Sequence, residues 1–299
     1  MSKRTLALIA ATLVSIFYGM TFTIAKDVMP KHIGAYGFLI IRVGGATLLF
    51  WLSWLFARIP DQVRAEKIER ADFPRIIAAA FFGITLNMLC FFKGLSLTSP
   101  ISASVLMVST PMIVLILSAI IMKERIQKRM VFGLVLGLIG TSALILYGKS
   151  IKSEPQASLG NFLVFANAIS YGLYLVLVKK LMAKYNAFNF VKWVYLIGFL
   201  MIVPFGWNEL SVVDWSTMPS DIYWKIGFVV VFSTFLTYLL NLLSMKELKP
   251  TTVAVFIYLQ PFFATIFAIG LGKDELTFVK IISAVLIFTG VYLVTQKAP

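Results

Sequence analysis

The stretch that decides the fold is "TSPISASVLMVSTP", residues 98–111, because the chain repeats its pattern as "LKPTTVAVFIYLQP", residues 248–261. In each stretch two prolines flank ten mostly apolar residues, and the second pair of prolines follows the first by 150 positions. A spacing that is kept while the side chains differ indicates one structural unit used twice.

The repeat extends beyond these stretches. Residues 16–31, "IFYGMTFTIAKDVMPK", resemble residues 169–184, "ISYGLYLVLVKKLMAK", at an offset of 153, and Gly140 matches Gly290 at an offset of 150. We therefore predict two homologous units, residues 1–150 and residues 151–299.

The composition indicates that the chain lies in a lipid membrane rather than in water. The chain is 60% hydrophobic and 13% charged, whereas soluble domains are about 45–50% apolar and about 25% charged. Ten apolar runs approach or exceed the roughly 20 residues that cross a bilayer, which predicts an all-α membrane protein. The predicted spans are residues 5–25, 36–57, 74–96, 101–122, 130–148, 159–181, 188–206, 222–245, 251–271 and 277–296.

The basic residues predict the orientation. Of 27 Lys and Arg residues, 18 lie in the two tails and the alternate loops on the same side as the tails. This bias places both termini in the cytoplasm of a multi-pass protein of the cell membrane. The net charge of +14 is distributed over short loops, so it does not indicate a nucleic-acid partner.

Five spans in each half force the second half to enter the membrane from the opposite side. Such inverted repeats are typical of carriers that bind a substrate near the bilayer midplane and alternate its access between the two sides. Duplicated membrane proteins without a transport role are the alternative.

The prolines occupy two kinds of position. Pro100 and Pro250 begin their helices, where a missing N–H is harmless. Pro111 and Pro261 follow about ten residues later, roughly 15 Å into the helix and half the hydrocarbon thickness. Each inner proline is expected to bend its helix and free a carbonyl four residues earlier. The bends either form a substrate chamber or only shape packing.

Mid-depth polar side chains are the candidate substrate ligands. Amide, hydroxyl and aromatic groups suit a small zwitterionic or planar solute, although each also serves commonly as interhelical contact. The candidates are Tyr18, Thr21, Asn87, Ser104, Ser109, Asn167, Tyr171, Tyr174, Thr237, Tyr238, Asn241, Tyr258 and Gln260.

Arg42 is a charge inside the second span, where an unpaired cation costs several kcal/mol. Asp27 ends the first span on the same side. We predict that Arg42 pairs with Asp27 in an extracellular gate or receives a substrate carboxylate. Snorkelling, or a purely structural pair, is the alternative.

Several motifs together resemble the EamA family of the drug/metabolite transporter superfamily. They are "SIFYGMTFTIAKDVM" near residue 20, "GLSLTSPISASVLMVSTPMIVLILSAIIMKERI" at 94–126, the following "GLVLGLIGTSALIL", and "LKPTTVAVFIYLQPFFATIFAIGLGKDEL" in the second half. The resemblance covers essentially the whole chain. It implies ten helices, cytoplasmic termini, and export or exchange of small metabolites, often amino acids. The family's acidic residue after the fourth span is present as Glu124.

For energy coupling and for assembly, the sequence is consistent with two alternatives each. No acidic residue lies in the middle of a span, so facilitated export is as consistent with the sequence as proton exchange. The chain lacks a Walker A motif. Gly133 and Gly137 lie on one face of the fifth span, which favours close packing within the chain or a homodimer.

An enzyme is the competing class. The single histidine, His32, lies in a loop and the single cysteine, Cys90, is isolated, so neither a nucleophilic triad nor a zinc site is expected. We expect no metal and no cofactor. A non-transporting receptor or scaffold is a further alternative, but the short loops offer little to a protein partner.

Overall fold

The computed structural model describes residues 2–29, 31–56, 66–97, 106–146, 157–270 and 277–296. Within these ranges the chain forms ten helices and no strand. They are α1 (Lys3–Val28), α2 (Ala35–Phe56), α3 (residues 70–97), α4 (Thr110–Met122), α5 (Lys128–Leu146), α6 (Ala157–Met182), α7 (Ala187–Ser211), α8 (Ser220–Glu247), α9 (residues 250–270) and α10 (Phe278–Thr295).

Most of these helices are long and apolar enough to cross a membrane by themselves. Eight meet that description within the described residues, and Thr110–Met122 is a shorter apolar helix. Large apolar side chains such as Phe56, Ile120 and Trp224 are exposed around the bundle. A surface of this kind faces lipid rather than water. The all-α membrane fold is confirmed.

Corresponding helices of the two halves run antiparallel. In the α2–α7 pair, Gly37 near the start of α2 meets Leu210 near the end of α7, whereas Phe50 near the end of α2 packs on Phe188 near the start of α7. Helix α5 runs antiparallel to α10 in the same way. The two five-helix units are therefore inverted.

The remaining contacts follow the same symmetry. Helix α1 packs on α8 and α9 of the second unit, and α6 packs on α3 and α4 of the first. The largest apolar core joins α2, α3, α6, α7 and α8, and a second core joins α1, α4, α5, α9 and α10. The bundle is thus held together mainly across the interface between the repeats.

The two chain ends lie on one face of the bundle, where the guanidinium of Arg4 donates to the carbonyl of Thr295. We call this the terminal face and the opposite one the distal face.

Candidate functional site

Two helices depart from α-helical hydrogen bonding at matching points. In α3 the segment Phe81–Thr85 is π-helical, and in α8 the segment Val231–Leu236 is π-helical, beginning 150 positions later. Short π-helical turns are rare and frequently lie at functional sites.

Backbone carbonyls in these turns accept hydrogen bonds from the other repeat. The hydroxyl of Ser170 in α6 donates to the carbonyl of Phe82 at 2.7 Å, and the guanidinium of Arg42 in α2 donates to the carbonyl of Ser233 at 3.3 Å. Because backbone polar groups need partners within a bilayer, these bonds connect the repeats near mid-depth.

The fourth helix is interrupted before Pro111. Residues 108 and 109 form a turn, and regular helix begins at Thr110. The carbonyl of Met107 loses its usual donor to the proline, and the hydroxyl of Thr110 donates to it at 2.6 Å.

The ninth helix changes to a 3-10 turn at Phe256–Tyr258, just before Pro261. The carbonyl of Phe256 accepts a hydrogen bond from the hydroxyl of Ser15 in α1 at 2.8 Å. The irregular backbone of the second repeat is therefore satisfied by a side chain of the first.

Four predicted ligands line one small cavity between the repeats. They are Tyr18, Tyr171, Asn241 and Gln260, which together form the central cluster. The amide of Asn241 donates to the Tyr171 hydroxyl at 3.0 Å. The cavity measures about 10 Å³, about the space of one water, so in this structure it is too small for a solute of amino-acid size.

Aromatic rings extend this cluster. The Tyr171 and Tyr174 ring centres lie 6.1 Å apart, and those of Tyr174 and Tyr238 lie 6.5 Å apart. The Tyr238 hydroxyl donates to the carbonyl of Gly83 in the π-helical turn of α3 at 3.2 Å. The rings therefore join α3, α6 and α8.

Arg42 is buried beside this aromatic group. Its Nε donates to Thr234 Oγ1 at 2.8 Å, one turn before Tyr238 on α8, and the side chain lies within electrostatic range of Tyr18 and Tyr238. Within the described ranges it forms no ion pair with a carboxylate. A buried cation satisfied only by neutral groups is costly to retain.

The predicted pairing of Arg42 with Asp27 is wrong. Asp27 Oδ2 lies 2.8 Å from Lys225 Nζ, which also pairs with Asp221 at 3.0 Å. Lys225 lies one turn after Asp221 on α8 and reaches the end of α1, whereas Arg42 donates to the hydroxyl of Thr234 and the carbonyl of Ser233 in the π-helical turn of α8.

Other predicted ligands have different surroundings. Asn87 and Asn167 donate to each other's backbone carbonyls at 3.4 and 2.8 Å, which is interhelical contact. Thr21 contacts the hydroxyl of Ser233. The hydroxyls of Ser109 and Thr237 donate to carbonyls of their own helices. The hydroxyl of Tyr258 donates to the carbonyl of Leu134. Ser104 lies outside the described residues.

Tyr195 lies in the candidate site, and the sequence interpretation missed it. It is fully buried, its ring packs on Tyr238 with centres 5.0 Å apart, and the charge of Arg42 acts on it. Its hydroxyl has no hydrogen-bond partner among the described residues. The sequence feature that could have indicated Tyr195 is its hydroxyl group in the middle of an apolar span.

On the terminal face, a glutamate of the first repeat binds the start of α7 in the second. Both carboxylate oxygens of Glu66 accept from the backbone N–H of Asn186 at 3.0 Å, and Glu66 Oε2 also accepts from the amide of Asn189 at 3.0 Å. A carboxylate at a helix N-terminus is stabilised by the exposed N–H groups and the helix dipole.

A second contact lies beside it. Lys184 Nζ lies 2.6 Å from Asp72 Oδ2 and 2.6 Å from Glu69 Oε2, and the hydroxyl of Tyr185 donates to Asp72 at 2.6 Å. The hydrogen bond to Asp72 is the main cause that raises the pKa of Lys184. This side chain therefore stays charged at neutral pH and joins the repeats.

The distal face has the inverted counterpart. Glu209, at the end of α7 in the second repeat, accepts hydrogen bonds at Oε2 from the backbone N–H groups of Tyr36 and Gly37 at 2.7 and 3.0 Å. These N–H groups belong to the start of α2 in the first repeat. On each face one carboxylate thus binds the start of the second helix of the opposite repeat.

Gly133 and Gly137 pack within the chain. A Cβ on Gly133 would lie 2.8 Å from the carbonyl oxygen of Gly290, and one on Gly137 would lie 2.2 Å from the ring of Tyr258. These glycines allow α5 to approach α9 and α10, which is the close packing within the chain that the sequence favours as one of its two alternatives. The other alternative, a homodimer, stays a prediction.

Known proteins share this architecture and sequence pattern. A solved crystal structure covers 97% of this chain and 97% of its own chain with a TM-score of 0.78 at 15% identity. The uncharacterized transporters YetK and YyaM of Bacillus subtilis are 27% and 26% identical, over 77% and 93% of this chain and 70% and 89% of their own lengths. The WAT1-related protein At3g18200 of Arabidopsis thaliana is 27% identical, over 77% of this chain and 67% of its own.

The model of the EamA-like transporter family matches twice, at residues 5–146 and 158–296. These two matches include almost all of the described helices, together with the π-helical turns and the central cluster. The chain belongs to the EamA-like transporter family.

Proposed function

We propose that this membrane transporter is an alternating-access carrier for small solutes that bear a carboxylate, with amino acids and related planar zwitterions as the preferred class, and that it exports or exchanges them. The observation that carries the proposal is the buried guanidinium of Arg42, which lacks a carboxylate partner in the described part of the chain and lies beside the central cluster.

The charge of Arg42 supports an anionic group on the solute. Arginine has five N–H donors, and the hydrogen bonds to Thr234 and Ser233 use Nε and Nη2. A substrate carboxylate would provide both the missing charge and further acceptors, since guanidinium and carboxylate groups match in geometry. The hydroxyl of Tyr195 is an additional donor on the same side of the cluster.

The central cluster supports a second, cationic or planar part. Tyrosine rings attract an ammonium group through their π faces, and the amides of Asn241 and Gln260 provide both donors and acceptors. A polyphosphate would instead require several convergent cations, whereas Arg42 is the only Arg or Lys among the residues that we assign to the site.

The closed cavity supports alternating access. Small-molecule sites usually measure about 300–1,000 Å³, whereas the cavity here measures about 10 Å³. Binding therefore requires the repeats to move apart. The carboxylates of Glu66 and Glu209 connect them at opposite faces, and the ion pairs of Lys184 with Asp72 and of Lys225 with Asp27 add to these contacts. Weakening the contacts of one face therefore favours opening there while the other face stays connected. From the distribution of Lys and Arg we place the terminal face in the cytoplasm.

Reconstitution tests the function. Protein in liposomes is expected to give saturable flux of a labelled amino acid or related zwitterion, and excess unlabelled solute of the same class is expected to compete. A comparison of metabolites in medium and cytosol, with and without expression, identifies direction and cargo. Accumulation of one solute class outside supports export. Hydrolysis of an added peptide or lipid without flux would favour an enzyme, and an unchanged metabolite profile together with no flux would favour a receptor.

The two glutamates give a prediction about access. We expect Glu209→Gln to increase opening of the distal face and Glu66→Gln to increase opening of the terminal face, each by about fivefold, because a charge at a helix N-terminus contributes about 1 kcal/mol. The measurement is the labelling rate of a cysteine at Val253, which lines the cavity, with Cys90 replaced by serine and an impermeant thiol reagent added from one side.

Each glutamate variant is the control for the other. We expect Glu209→Gln to accelerate labelling from the distal side and Glu66→Gln to accelerate it from the terminal side. Acceleration from the same side in both variants, or unchanged rates in both, would contradict the assignment of the two carboxylates to opposite closures.

A further inference from the structure

Three tryptophans surround a lysine on the terminal face, where α2 ends beside the start of α7. Lys192 Nζ lies 3.2 Å from the ring centre of Trp54, 5.2 Å from that of Trp51 and 6.0 Å from that of Trp193. We call these four residues the tryptophan–lysine cluster. Lys192 is only 5% exposed.

The rings of this cluster are held by their neighbours. Trp51 and Trp193 pack edge to face with centres 5.3 Å apart. Phe188 lies parallel to Trp54 at 6.4 Å, and Phe73 of α3 contacts Trp193 at 5.8 Å. Three helices therefore hold the rings around Lys192.

The cluster contains donors without acceptors. Lys192 forms no ion pair or hydrogen bond within the described ranges, and the buried indole N–H of Trp51 has no hydrogen-bond partner there. Glu66 acts on Lys192 electrostatically, but its carboxylate is bound to Asn186 and Asn189. Cation–π contacts replace only part of the hydration of an ammonium group that has three N–H donors.

The adjoining surface of α2 is apolar and faces lipid. Leu48, Leu52, Leu55 and Phe56 are exposed, with Phe56 at 80%. Their spacing of four, three and one residues places them along one side of the helix. This ridge ends beside the cluster, at the depth where tryptophan and lysine meet lipid headgroups.

We propose that the tryptophan–lysine cluster binds the phosphate of an anionic phospholipid in the leaflet on the terminal face. Both donors are buried in this structure, so binding requires a ring of the cluster to move aside. The ammonium of Lys192 and the indole N–H of Trp51 then donate to phosphate oxygens, and an acyl chain lies along the ridge of α2. A phosphate supplies the negative charge and the acceptors that Lys192 and the Trp51 N–H lack among the described residues, and basic pockets between membrane helices are suited to such headgroups. The proposal is independent of the solute carried.

Native mass spectrometry of the purified full chain in neutral detergent tests this site. The probes are phosphatidylglycerol, phosphatidylcholine and inorganic phosphate. We expect the wild type to retain phosphatidylglycerol in preference to phosphatidylcholine, and Lys192→Gln to reduce that binding about fivefold, the contribution of one lysine near a membrane surface. Lys192→Arg should retain the preference. Lys180→Gln, which removes an exposed lysine at the terminal-face end of α6, should bind as the wild type does.

A second variant keeps the test decisive if Lys192→Gln does not fold. Trp51→Phe keeps an aromatic ring and removes the N–H, so it should also weaken phosphatidylglycerol binding and leave phosphatidylcholine unaffected. Equal loss in Lys180→Gln and Lys192→Gln would overturn the proposal. Preference for phosphatidylcholine would also overturn it, because it would identify a cage for quaternary ammonium groups. Displacement of the lipid by equimolar inorganic phosphate would overturn it as well, because it would identify a site for the free ion.

Discussion

Arg42→Ala is expected to reduce flux of a carboxylate-bearing solute at least about 100-fold while the protein still inserts in the membrane, because loss of one partner of a desolvated ion pair costs about 3–5 kcal/mol. Alanine is far less costly than arginine in the middle of a membrane helix, so insertion is not impaired. The measurement is initial flux into liposomes, normalised to the amount of inserted protein.

Two variants separate charge from geometry. Arg42→Lys keeps the cation but loses the planar group that binds a carboxylate at two points, so we expect partial flux with a raised half-saturation concentration. Lys93→Ala removes an exposed cation from α3 and should leave flux within about twofold, as surface charges contribute little. Wild-type flux in Arg42→Ala would remove Arg42 from the site, and equal loss in Lys93→Ala would assign the effect to net charge.

Helix number and inversion could be predicted because they depend on one-dimensional properties of the chain. Apolar run length fixes each span, and an odd number of spans in each repeat fixes the inversion. The proline positions also indicated where α4 and α9 become irregular, since proline removes a backbone donor wherever it occurs. The structure shows the departures from α-helix just before Pro111 and Pro261.

The π-helical turns could not be predicted in this way. Neither Phe81–Thr85 nor Val231–Leu236 contains a proline, and in each turn one backbone carbonyl, that of Phe82 or Ser233, accepts a hydrogen bond from a side chain of another helix. Such a turn is stable only when the partners are in place. The information therefore lies in tertiary contacts rather than in either segment.

For the candidate site, too, the sequence predicts the polar residues but not the contacts between helices. Tyr18, Tyr171, Asn241 and Gln260 were predicted because mid-depth polar groups are costly unless they have a use, and the structure brings them to one cavity. Their binding of a substrate stays a prediction. The partner of Asp27 was predicted wrongly because depth in the membrane does not determine which helix lies alongside. Lys225 is separated from Asp27 by nearly 200 positions, and only the packing of α1 on α8 brings them together.

Gly290→Ala is expected to have the largest effect on stability. A Cβ there would lie 2.5 Å from the carbonyl oxygen of Gly133 and 2.7 Å from the backbone nitrogen of Gly137. Both neighbours are backbone atoms, which cannot move without separating α5 from α10. Overpacking of this kind costs about 1–3 kcal/mol, occasionally more. The measurement is the midpoint of thermal unfolding in detergent, which should fall by several degrees at least.

Gly227→Ala is the matched control. Gly227 also lies inside a helix, but a Cβ there would meet no atom within 4 Å. Since alanine is favoured over glycine in helices by about 0.5–1 kcal/mol, this variant should unfold at the same temperature as the wild type or slightly above it. The two substitutions are chemically identical, so a difference between them reports the contact of α5 with α10. If Gly290→Ala were as stable as Gly227→Ala, α5 and α10 could not approach as closely as described, and the symmetric pairing of the last helices of the two repeats would be wrong.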